Sequence, residues 1–177
     1  MIVFSNDYLI KHQDNMADIN DNILDFGLPR SRYPESCKGV DIVIGVDEAG
    51  RGCVLGSLLY CAAFWPLSEH EAICKLGFDD SKQLKESERE SFFDTIVGHP
   101  SIGYVIEELT APFLSEEMLK ASPTSLNQIS YDGVIRMLAK IRDAEPNPPN
   151  ITDIYIDTVG EKYHNIYSHP IILQAVS

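Results

Sequence analysis

The stretch DIVIGVDEAGRG, from Asp41 to Gly52, constrains this chain more than any other. Its apolar, β-branched start reads as a buried strand. Its end departs from that pattern, because Asp47 and Glu48 are adjacent acids followed at once by a Gly-Arg-Gly turn. Acids are depleted in strands, and glycines give up ordering entropy. Folding alone gives no reason for them here. Strand side chains alternate, so the two carboxylates leave the pleat on opposite sides. They converge only if the backbone bends immediately, which Gly50 and Gly52 allow.

The rest of the chain supplies a sheet and helices around this segment. VLGSLLYCAAFW reads as a second strand ended by Pro66, and the short connection predicts an antiparallel hairpin with the first. In SKQLKESERESFFDTIVG, Ser87 is the expected N-cap of a helix, with Glu90 completing a capping box and Gly98 as the stop. SIGYVIEEL reads as a third strand and TAPFLSEEMLK as a short helix. The longest helical pattern is PTSLNQISYDGVIRMLAKIRDAE, with Leu126, Ile129, Val134, Met137, Leu138 and Ile141 at three- and four-residue intervals. Gly133 inside it marks close packing on a neighbour. ITDIYIDTVG is a fourth strand that again ends in an acid, Asp157. Strand, strand, helix, strand, helix, strand implies an α/β or α+β layout with a mixed sheet.

Length and composition narrow the class. At 177 residues one domain is the natural expectation, with residues 1–39, rich in Asp and Asn, as a mobile N-terminal extension and residues 40–177 as the folded part. Cys37, Cys53, Cys61 and Cys74 show no C-x-x-C spacing and read as reduced thiols. No signal peptide or membrane span is evident, so a soluble nuclear or cytosolic protein is expected. His12, His70, His99, His164 and His169 lack metal or nucleophile spacing and read as surface or structural. GRGCVLG lacks the G-K-[ST] ending of a P-loop. The net charge of −13 argues against nucleic-acid binding unless metal ions or residues outside this chain offset it.

If the first and fourth strands are neighbours, Asp47 and Asp157 share one sheet edge with Glu48 close by. Crowded carboxylates repel, and a bound divalent cation removes the conflict. Hard oxygen ligands fit Mg²⁺ or Mn²⁺ better than zinc. Two such ions ~4 Å apart are a recurrent solution for phosphodiester cleavage. The plain alternative is that Asp47 and Glu48 form a solvated turn and Asp157 a helix cap.

At DEAGRG the chain resembles the type 2 ribonuclease H family, on the branch of the eukaryotic catalytic subunit. VIGVDEAGRGCVLGSLLYCAAFWP, DDSKQLKESERE, SLNQISYDGVI and DIYIDTVG resemble four family segments in the family's order, over roughly residues 33–165. The resemblance implies a ribonuclease H-like mixed β-sheet flanked by helices. It implies an endonuclease that cuts the RNA strand of RNA–DNA hybrids and single ribonucleotides in duplex DNA, using Mg²⁺ or Mn²⁺. On that likeness Asp47, Glu48 and Asp157 are the metal-ligating, catalytic carboxylates. Gly50, Arg51 and Gly52 read the ribose 2′-OH, Lys82 meets a phosphate with Ser81 nearby, and Asn127 and Ser130 contact a strand. Asn127 and Ser130 read equally as the polar face of a helix. Two accessory subunits of a eukaryotic complex are implied as partners. Cys53 and Ser57 stand where the family usually has prolines. The family's fourth acid, a tyrosine and a C-terminal helical region do not follow IDTVG, so a C-terminally truncated chain, with either an impaired site or a purely structural role, is expected.

Overall fold

The computed structural model describes residues 29–52, 56–79 and 83–156. Five strands form one sheet: β1 (Ser31–Arg32), β2 (Asp41–Ala49), β3 (Leu58–Pro66), β4 (Gly103–Leu109) and β5 (Asn150–Ile156). Their order is β1-β4-β3-β2-β5. β2 and β3 form the antiparallel hairpin expected from the short connection, and β4 and β1 extend it antiparallel. β5 lies parallel to β2 on the other side, so the sheet is mixed. The helices are α1 (His70–Cys74), α2 (Glu86–Gly98), α3 (Ala111–Met118) and α4 (Leu126–Arg142).

The long helix α4 forms because its ends and its face agree. Ser125 caps the N-terminus by accepting from the Gln128 amide at 3.2 Å, and Lys140 and Arg142 lie in the last turn, where the helix dipole favours cations. Ile129, Val134, Met137, Leu138 and Ile141 are buried against the sheet, as their spacing predicts. They meet Ile42, Ile44 and Val46 of β2, Leu58, Tyr60, Ala62 and Phe64 of β3, and Val105 and Leu109 of β4. Strand alternation sends Val43, Asp47 and Cys61 to the opposite face. A smaller cluster of Ile73, Ile96 and Ile102, with Trp65 and Phe78, joins α1 and α2.

The cap of helix α2 lies two residues before the predicted Ser87. Lys85 is the N-cap, and the Glu88 carboxylate accepts from the Lys85 amide at 2.8 Å. A lysine ammonium has no lone pair, so only this half of a capping box exists. Residues 31–37, grouped by sequence with the extension, pack on the sheet edge. Ser31 and Arg32 pair with Val105 and Tyr104, Tyr33 stacks at a tilt on Phe64 with centroids 5.4 Å apart, and Cys37 is buried. Arg32 also donates to the carbonyls of Ile96 and Val97 in the last turn of α2, where helix acceptors run short of backbone partners.

Two glycines have opposite meanings. A Cβ on Gly103 would lie 2.4 Å from two ring atoms of Phe64 and 2.8 Å from Pro34. Gly103→Ala is therefore expected to destabilise the fold by about 1–3 kcal/mol, read as a lower urea midpoint. A Cβ on Gly133 meets Leu109 at 3.6 Å, ordinary contact. Gly133 does pack on a neighbour, but nothing there requires a glycine. Gly133→Ala is expected to raise stability by roughly 0.5–1 kcal/mol through helix propensity.

Among the described residues no helix is long and apolar enough to cross a membrane. The described thiols Cys37, Cys61 and Cys74 are free. His70 accepts from the Trp65 indole at 3.2 Å and His99 from the Ser101 amide at 3.2 Å, both structural uses. Cys53, His12, His164 and His169 lie outside the described residues.

Candidate metal and nucleic-acid site

β2 keeps its pleat through both acids. Asp47 is opposite Cys61, Glu48 opposite Tyr60, and pairing ends only at Ala49 with Leu59. The bend comes afterwards, at Gly50, with φ +84°. Asp47 and Glu48 therefore leave the strand on opposite faces: Glu48 on the α4 side with Tyr60, Asp47 on the other side with Cys61. Both are half-buried. Asp47 Oδ1 accepts from the Glu48 amide at 2.8 Å, which fixes the carboxylate against its own backbone.

The turn after the acids reaches across to α4. Arg51 Nη2 donates to Asn127 Oδ1 at 2.7 Å, and Nη1 lies 3.4 Å from the Tyr60 hydroxyl and 3.5 Å from Ser130 Oγ. The first bond is short and sets the position; the other two are long. Three residues singled out in the sequence, Arg51, Asn127 and Ser130, thus form one constellation beside Glu48. Gly50 permits it in two ways. Its φ is positive, and a Cβ there would lie 2.4 Å from the Ser57 carbonyl oxygen. Gly52 shares φ +84°, but no described residue lies within 4 Å of a Cβ there.

β5 runs beside β2, as the pairing of acidic strand ends requires. Its last pair is Val46 with Ile156, one residue before Asp47 and one before Asp157. Asp157, Ser81 and Lys82 lie outside the described residues. Among the described residues no group of three metal-ligand side chains is gathered.

Three contributors are not singled out in the sequence. Tyr60 sits in an apolar run, and only its need for a hydroxyl partner marks it. Glu107 and Glu108 are a second acidic pair inside a strand, the same anomaly as Asp47 and Glu48. Glu107 faces α4 and binds Arg136 and Lys140, each at 2.8 Å. Burial pushes its carboxyl up, but the bonds and charges of Lys140 and Arg136 outweigh that and hold it below the usual range.

The donor chemistry at the strand end is oxygen. Burial first, and the charge of Asp47 second, push the Cys61 thiol up from its ordinary range. The carboxylates of Asp47 and Glu48 are each hard oxygen donors of the kind a divalent cation takes, on opposite faces of the strand end.

The Ribonuclease HII family profile matches residues 44–175, which include DEAGRG, the long helix and Asp157. The chain is 40% identical over 128 residues to a ribonuclease H2 subunit of Caenorhabditis elegans, covering 70% of this chain and 42% of the relative. It is 35% identical over 130 residues to the same subunit from Homo sapiens, covering 73% of this chain and 42% of that protein. It thus spans less than half the length of these relatives. The RNase HII of Archaeoglobus fulgidus, solved in a complex with PCNA, superposes with a TM-score of 0.55 at 26% identity, covering 68% of this chain and 52% of that one. Bst-RNase HIII, solved with Mn²⁺, has a TM-score of 0.56 at 22% identity over 80% of this chain and 42% of its own, a likeness of fold. The mixed sheet flanked by helices is thus the ribonuclease H-like fold. With the strand-end acids, the Gly-Arg-Gly turn and the helix that receives Arg51 all inside the matched region, the chain belongs to the ribonuclease HII family.

Proposed function

We propose that this chain carries the strand-end acids and the sugar-reading turn of a divalent-metal-dependent endoribonuclease. The substrates are RNA–DNA hybrids, cut in the RNA strand, and duplex DNA containing single ribonucleotides. The observation that carries this reading is the pinning of Arg51 on Asn127 beside Glu48. It fixes a glycine-flanked backbone, able to approach a ribose closely, next to acids able to hold metal.

Asp47 and Asp157, at the ends of neighbouring strands, would hold a cation, and Glu48, which leaves β2 on the other face, would join them once the strand end turns at the glycines. The register ending at Val46 and Ile156 supports Asp157 as the third ligand. A divalent cation there supplies the positive charge that activates water and stabilises charge developing on the phosphoryl and leaving oxygens. The chain's own residues do the rest. Gly50 and Gly52 let main-chain groups approach the 2′-OH. Arg51, held by α4, fixes the orientation of that turn. Asn127, exposed on α4, lines the path of the strand, whereas Ser130 is buried against Arg51 and does not; Ser81 and Lys82 meet a phosphate. The 2′-OH is recognised without serving as nucleophile, so products carry 5′-phosphate and 3′-hydroxyl ends.

The net charge of −13 opposes the approach of phosphates, which makes binding dependent on divalent cations. The naming of the relatives as subunits supports accessory chains as partners. The biological setting is the nucleus, in RNA primer removal and ribonucleotide repair during DNA replication. The test is to incubate the full chain with a labelled RNA–DNA hybrid in Mg²⁺ or Mn²⁺. Cleavage to 5′-phosphate ends supports the reading. No cleavage with either ion sinks it in favour of a non-catalytic binding or structural module.

A further inference from the structure

We propose that Glu108 is a positioning residue that anchors the Gly-Arg-Gly turn for its substrate, an inference that rests on the turn being the sugar-reading element. Glu108 lies on β4 opposite Leu59, on the Asp47 face of the sheet. Its side chain is 15% exposed and both of its oxygens are used. Oε2 accepts from Arg30 Nη2 at 2.6 Å, and Oε1 accepts from Ser57 Oγ at 2.7 Å. These are charge-assisted contacts in a partly buried place, where they are strongest.

Ser57 is the other end of the loop that begins at Gly50. Its carbonyl oxygen lies so close to the Gly50 α-carbon that no side chain fits between them. Holding Ser57 therefore holds Gly50, and through it the position from which Arg51 reaches Asn127. Arg30 is held in turn, because its carbonyl accepts from the Ile106 amide at 2.7 Å. A path of bonded groups runs from the sheet edge through Arg30, Glu108 and Ser57 to the turn. Ser57 stands where the resembling family usually has a ring-restricted proline. Here a hydroxyl bonded to a carboxylate restricts the same position.

The test uses the full chain with Glu108→Leu and Glu108→Gln, since glutamine keeps the shape and can still bond Ser57. Amide hydrogen exchange is read over residues 50–57 and, as reference, over α4. The affinity for an RNA–DNA hybrid is measured in Ca²⁺, and KM and kcat in Mg²⁺. Glu108→Leu is expected to speed exchange over 50–57 about tenfold, the scale of losing one charge-assisted bond, with α4 within about twofold. Hybrid Kd and KM should rise by a similar factor with kcat little changed, and Glu108→Gln should restore most of both. Unchanged exchange in Glu108→Leu overturns the proposal. So does faster exchange everywhere, which marks general loosening, or faster exchange over 50–57 with hybrid affinity unaltered. If the unaltered chain cleaves nothing, the nuclease reading fails by itself, while exchange and hybrid affinity still decide the role of Glu108.

Discussion

Replacing Asp47 by asparagine is expected to lower metal-dependent cleavage of an RNA–DNA hybrid by at least about 10²–10³-fold, the scale of one charge-stabilising group in an active site. The substitution isolates charge from shape. Asparagine fills the same volume, and its side-chain oxygen can still accept from the Glu48 amide, as Asp47 Oδ1 does at 2.8 Å. The pairing of β2 with β3 opposite Cys61 involves main-chain groups and stays intact. What is lost is a formal negative charge at the strand end, where a hard cation needs it. The melting temperature should therefore hold, or rise slightly as repulsion from Glu48 falls. Single-turnover cleavage at saturating Mg²⁺, beside a thermal melt, separates the two effects. A variant that melts normally and cleaves at the full rate would remove Asp47 from the chemistry.

The second large effect is expected at Gly50. Alanine there faces two penalties. The positive φ of 84° costs a non-glycine residue about 1–3 kcal/mol. The added carbon would also sit 2.4 Å from the Ser57 carbonyl oxygen, a main-chain atom that cannot swing away. The turn must therefore move, and Arg51 moves with it. Gly50→Ala should lose hybrid binding along with stability. Gly52→Ala is the matched comparison for the fold, because it has the same φ and no described residue within 4 Å of the new carbon. In stability it should show only the backbone cost, about 1–3 kcal/mol or less, so the fold comparison is read from the urea midpoints. Hybrid Kd and urea midpoints of the two variants, measured together, check the difference. Equal losses in both would mean that close approach to Ser57 does not matter.

What is legible in the sequence follows the range of the forces involved. β2, β3 and α4 are readable because each carries its own periodicity, and α4 its own cap at Ser125. The acids before a glycine turn stand out because local folding gives no reason for them. The joining of Arg51 to Asn127 is a contact across 76 residues, and the resemblance marks the two residues only as separate substrate contacts. β1 leaves no mark in the sequence because two residues have no period; it exists because Arg30 and Arg32 find carboxylate and carbonyl partners on distant elements. Serine is the commoner cap, which points to Ser87 as the start of α2, yet Glu88 reaching back to the Lys85 amide decides it. The bend comes at Gly50, one of the glycines expected to allow it, but cross-strand pairing carries β2 through Ala49, so both acids leave the strand before it.

The most direct measurement is a calorimetric titration of the full chain with Mn²⁺, beside Asp47→Asn and Asp41→Asn. Asp41 lies at the other end of β2, where it accepts from the Asn150 side chain at 2.7 Å. A carboxylate centre at the strand end predicts saturable binding that weakens at least about tenfold in Asp47→Asn, as removal of one ligand charge demands, and is unchanged in Asp41→Asn. Equal affinity in all three proteins, or no saturable binding in any, would contradict it.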